Sequence, residues 1–330
     1  MNAKIEATRN IGISLLKILM SFTVIVCHFG VGGEVLYLAV PCFMMISFLL
    51  LGDRIIYKDA MQERIKRLFF PQVVWAIVYY MVYKLVFGNG AKVQIEDLIW
   101  QIFLGTSSKL NSAMWFQADL IILTIIIYMV FNSMKKNNAV KFLFVLMIFS
   151  IVAQYSGWNF KLFGSLRYEL KWPLGRICEM FPYAILGTIF NYFKIYNFLE
   201  SRKKMSIITT GILIVFVWNN SFISNPAESF IYAGIRYIVI TVLIVTFFWL
   251  FPFDKFLNRK LTNLIHNLSK YSLGIYCIHL LVGYIVNELN AKYNIVGGTL
   301  RKCILIYIVS MILSYIITLI PNETVKKMVV

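Results

Sequence analysis

Two ionisable side chains stand in an apolar stretch near the start of the chain: Lys17 and His28, the ends of KILMSFTVIVCH, eleven residues apart. At about 100° per residue that separation overshoots three full turns by only about 20°, so both side chains share one helix face, about 16 Å apart along its axis. An ionisable group inside a bilayer costs at least ~2.5 kcal/mol and normally faces a protein interior or a water-filled cavity. Each residue also has a plainer reading. Lys17 can snorkel to the inner interface, and His28 can sit as an interfacial residue at the outer one.

Three further stretches carry polar groups in apolar surroundings. In ERIKRLFFP (63–71), Arg64 and Arg67 lie one helical turn apart, a spacing that lets two guanidinium groups engage one phosphate-rich ligand. The alternative is ordinary positive charge on the cytoplasmic side. In SLGIYCIHL (272–280), His279 falls near mid-membrane with Ser272 and Tyr276 on the same face. There the alternative is a structural hydrogen bond between helices. MWFQADL (114–120) brings Trp115 and Phe116 to the start of another apolar run.

The elements that must position these residues are helices in a membrane. Sixty per cent of the 330 residues are hydrophobic and 14% are charged; the mean hydropathy is +0.75. That leaves too little polar surface for a soluble domain of this length. A spanning helix needs roughly 20 mostly apolar residues. Candidate spans fall at approximately 11–30, 36–51, 68–87, 114–132, 141–156, 177–193, 205–219, 231–251, 271–287 and 303–320, the second leaning on an apolar lead-in at 35–38. The fold class expected is therefore an all-α integral membrane protein of about ten transmembrane helices, a single polytopic domain over residues 1–330. The first apolar segment is too long for a cleavable signal and reads as a retained helix.

The net charge of +17 is not a nucleic-acid signature, because the basic residues gather in short loops between apolar segments. If the N-terminus is inside, 20 of the 32 Lys and Arg fall in inside segments and nine in outside ones, which favours an N-in/C-in arrangement. Two outside segments are long, 88–113 and 157–176. The second holds Trp158, Phe160, Arg167, Tyr168, Glu169 and Trp172, suited either to an acceptor site or to interfacial anchoring. The five cysteines lie in or beside apolar segments without metal-ligand spacing, so neither a disulfide framework nor a metal is expected.

Taken in order, these stretches resemble the membrane acyltransferase-3 family, ten-helix enzymes that O-acylate bacterial surface glycans and related acceptors. Lys17 and His28 match its Arg/Lys-x10-His signature. VPCFMMISFLL (40–50) is similar to its Val-Pro-x-Phe-Phe-x-x-Ser-Gly segment, and Arg64 with Arg67 to its Arg-x-x-Arg pair. MWF with Leu120, GRICEMFPYAILG (175–187) and SLGIYCIH complete the series. Two positions depart from the pattern: Ser14 stands where the family commonly has an acid, and Phe48 follows Ser47 where it has glycine.

The resemblance implies an O-acyltransferase, with acetyl as the first choice of acyl group, in the bacterial cytoplasmic membrane as a multi-pass protein. Its partners would be acyl-CoA on the cytoplasmic side, a glycan or lipid-linked saccharide acceptor, and the bilayer. Acetyl-CoA would serve as donor substrate, with no metal. On this reading His28 accepts the acceptor's proton or carries the acyl group transiently, and Lys17 offsets developing negative charge. Arg64 and Arg67 hold the donor's phosphates. Trp115 and Phe116 line the site, with Ser47, Tyr276 and His279 in support. Two rivals remain: a flippase or transporter of lipid-linked saccharides, for which no repeated half is found, and a glycan polymerase.

Overall fold

The computed structural model describes residues 10–30, 38–85, 93–105, 110–155, 168–223, 230–293 and 297–322, together with Lys326. Those residues form helices and connections, with no strand among them. In chain order the helices are α1 (Ile11–Phe29), α2 (Ala39–Leu51), α3 (Lys58–Leu85), α4 (Ile95–Leu104), α5 (Trp115–Ser133), α6 (Lys136–Tyr155) and α7 (Tyr168–Tyr192). Then come α8 (Ile195–Ser201), α9 (Lys203–Ile223), α10 (Phe230–Leu250), α11 (Arg259–Leu268), α12 (Ser272–Tyr293) and α13 (Thr299–Leu319).

Each stretch expected to cross the membrane falls at least in large part on a helix, yet only six helical segments among the described residues are long and apolar enough to do so. They are α1, α3, α5, α6, the continuous run Arg259–Tyr293, and α13. The other four expected spans fall on α2, α7, α9 and α10. Helix α2 has 13 residues, shorter than a bilayer needs, and residues 35–37 of its expected lead-in lie outside the described residues. Helix α7 carries Pro173 and Pro182 together with Arg176 and Glu179. Helices α9 and α10 have 21 residues each, and their side chains are described only over 203–217 and 235–250.

Three helices were not expected at all. Helix α4 lies in the segment 88–113 that was expected outside, α8 follows α7 directly, and α11 precedes α12. The second long segment expected outside, 157–176, is also helical from Tyr168 onward, whereas its Trp158, Phe160 and Arg167 lie outside the described residues.

Helix α1 is the hub: α2, α10, α11, α12 and α13 all pack on it. Its start is pinned by Asn10, whose side chain accepts from the Ile13 amide (3.0 Å) and donates to the Trp249 carbonyl of α10 (2.8 Å). Gly12 lets α10 approach so closely that a Cβ there would overlap the Phe248 carbonyl. Helix α2 is apolar nearly all round, is largely enclosed, and makes its broadest contact with α7. It therefore presents Ser47 from the centre of the bundle.

The chain entering α5 is held by buried amides. Gln72 Nε2 donates to the Gln101 carbonyl and Gln101 Nε2 to the Asn111 carbonyl, both at 2.8 Å. Gly105 closes α4 in the left-handed region (φ 64°) with the Trp115 backbone against it. These contacts set where Trp115 and Phe116 begin α5.

Candidate functional site

The last turn of α1 and the middle of α12 meet at a pair of histidines. The His28 and His279 rings lie 5.3 Å apart between centroids, tilted by 43°. His28 is exposed, and His279 is completely buried. His279 Nδ1 is 2.7 Å from the Tyr276 carbonyl oxygen and 3.2 Å from that of Ile275. Carbonyls only accept, so Nδ1 carries the proton and Nε2 keeps its lone pair. Nε2 is buried and has no hydrogen-bond partner among the described residues. A buried acceptor left unpaired costs about 1–3 kcal/mol, and such groups concentrate where chemistry uses them. Phe29 packs edge-on against His279 (6.4 Å) in the space left by Gly283, where a Cβ would overlap the Phe29 ring.

Tyr276 joins the histidines to a cavity. Its ring lies 6.0 Å from that of His279 and 5.5 Å from that of Phe116. It lines a cavity of about 130 Å³ together with Lys17, Ser47, Leu68, Phe116 and Ser272. That space is large enough to hold ordered water. The Tyr276 hydroxyl is buried. One histidine pair thus stands next to one cavity whose lining includes Lys17.

The arginine pair divides. Arg64 is only 7% exposed, and its guanidinium is committed inward. Nε donates to Thr124 Oγ1 (3.0 Å), and the two terminal nitrogens donate to the Ser47 hydroxyl (2.9 Å) and carbonyl (3.3 Å). Phe48, standing where a glycine was expected, offers its ring face 5.0 Å below the guanidinium. Arg64 therefore ties α2, α3 and α5 together and fixes Ser47 at the cavity wall. Arg67, one turn on, is exposed. The two guanidiniums do not face a common ligand.

Trp115 and Phe116 also part company. Phe116 lines the cavity, while the Trp115 ring lies against Arg176, whose guanidinium carbon is 4.6 Å from it and 4.7 Å from Trp172. Arg176 pairs with Glu179 at 3.1 Å. Ser14, in place of the expected acid, is hydrogen-bonded to His266 Nδ1 at 2.9 Å and so connects α1 to α11.

Two buried polar residues near the site were not singled out from the sequence: Thr124 and Asp119. Thr124 is the lone hydroxyl in the apolar run LIILTIII, a signal available in hindsight. Asp119 is 1% exposed, and its Oδ2 has no hydrogen-bond partner among the described residues. An acid within an expected span is itself a pointer to function.

A family model described as an acyltransferase domain matches residues 10–320, nearly the whole chain. The chain belongs to the acyltransferase-3 family. No curated protein and no solved structure matches it. With its set of long apolar helices, this acyltransferase is a multi-pass membrane protein. Acyl transfer needs a group that takes a proton from the incoming nucleophile, and space that admits the donor while limiting water. In this acyltransferase the histidine pair has the first capability, and a cavity lies on the far side of Tyr276 from His279.

Proposed function

We propose that the protein moves an acyl group, acetyl from acetyl-CoA, onto a hydroxyl of a cell-surface or lipid-linked glycan. The observation that carries this reading is the His28–His279 pair beside the cavity lined by Lys17, Ser47, Phe116 and Tyr276. The chain crosses the bacterial cytoplasmic membrane ten times with both termini inside, as its Lys and Arg distribution favours. The donor then arrives from the cytoplasmic side, and its pantetheine arm extends along the cavity toward the histidines.

The chemistry follows from the residues. His28, exposed beside the buried pair member, takes the proton of the acceptor hydroxyl as its oxygen attacks the thioester carbonyl. An O–C bond forms, the tetrahedral intermediate collapses, and the C–S bond breaks. The imidazolium returns the proton to the departing CoA thiolate, so the transfer balances without a further reactant. Lys17 offsets negative charge along the donor or on the oxyanion. His279, whose ring lies 5.3 Å from that of His28 between centroids, supports the imidazolium of His28 while it holds the proton. Arg67 meets the donor's phosphates, and Arg64 acts indirectly by holding Ser47.

Isolated membranes containing the protein, given acetyl-CoA labelled in the acetyl group, should label a glycan fraction. His28→Ala should reduce that labelling by about 10²-fold or more. A folded, membrane-inserted His28→Ala protein that labels glycan at the full rate contradicts the reading.

A further inference from the structure

His279 sits on a turn of α12 that is held from outside the helix. Tyr79, on α3, is fully buried, and its hydroxyl donates to the Cys277 carbonyl (3.0 Å) and accepts from the Leu281 amide (2.9 Å). Those two groups stand four residues apart, the spacing that an α-helix joins directly. The hydroxyl is thus inserted into the ladder of α12, with His279 midway between its two contact points. A group inserted this way bends or re-aims a helix locally.

Two other contacts converge on the same turn. Asn111 Nδ2 donates to the Cys277 carbonyl at 3.4 Å. The Nδ1–H of His279 is directed at the Ile275 and Tyr276 carbonyls. Three successive carbonyls therefore accept from groups outside the regular ladder. Tyr79 itself is steadied by Tyr83, one turn on in α3, whose ring stacks on it at 6.4 Å.

We propose that Tyr79 is a positioning residue: its hydroxyl in the α12 ladder sets where the His279 ring stands against His28. The proposal rests on the histidine pair being the reactive centre, and its test separates the two ideas. The chain has three histidines, His28, His266 and His279, so carbethoxylation by diethyl pyrocarbonate can be followed at each by peptide mass spectrometry. The full-length protein in detergent is compared with Tyr79→Phe, which removes one oxygen and keeps the ring.

In Tyr79→Phe, His279 should react severalfold faster, because its turn is no longer held closed, and His266 should react as before. Acetyl transfer should lose on the order of tenfold in kcat with KM for acetyl-CoA unchanged, the mark of misplacement rather than lost binding. Unchanged His279 reactivity overturns the proposal, whether or not transfer falls. Raised His279 reactivity with undiminished transfer upholds the positioning role and removes His279 from the reaction. If Tyr79→Phe does not fold, Asn111→Ala removes the weaker donor to the same carbonyl. It should raise His279 reactivity in the same direction to a smaller degree, and no rise there overturns the proposal.

Discussion

Arg64 and Arg67 show how much burial changes the meaning of one residue type. Arg64 has three hydrogen bonds to Thr124 and Ser47 and lies over Phe48. Removing it should act on stability: hydrogen bonds from a charged group contribute about 1.5–3 kcal/mol each and are not additive, so Arg64→Ala should destabilise by roughly 3 kcal/mol or more. Thermal unfolding in detergent checks this. Arg67→Ala should leave unfolding unchanged and raise KM for acetyl-CoA severalfold at similar kcat. A large loss of stability in Arg67→Ala contradicts the division. The spacing of this pair was legible in the sequence, but the division was not. It depends on Thr124, sixty residues away, and on a phenylalanine in a place where glycine was expected.

At the scale of elements, the site is a product of close helix approaches. Helices α1 and α12 meet where Gly283 receives Phe29, and that contact also sets the wall against which His279 rests. Gly283→Ala should cost about 1–3 kcal/mol through overpacking and lower transfer; Phe29→Leu added to it should recover part of both. Unfolding and transfer measured on the singles and the double test the coupling, and strict additivity contradicts it. The shared face of Lys17 and His28 follows from helical geometry alone, and the ten apolar stretches could be read as helices. Helices α4 and α11 could not, because α4 is only ten residues long and α11 is a short helix with the charged residues Arg259 and Lys260 at its start. The meeting of His28 with His279 was equally hidden: 251 positions separate them, and only the packing of α12 on α1 joins them.

For the whole molecule, the arrangement places an accessible histidine, a buried histidine and a lysine-lined cavity within one membrane-embedded bundle. The proposed orientation, both termini inside, predicts that tags on either end are labelled by a membrane-impermeant reagent only after the cells are opened. Labelling of one terminus in intact cells contradicts the orientation. The central claim is that the two histidines act as a unit. Acetyl transfer rates of His28→Gln, His279→Gln and the double variant test it most directly. Groups acting together are strongly non-additive, so the double variant should be scarcely slower than the worse single one. Losses that multiply, or a fully active His28→Gln protein, contradict the account.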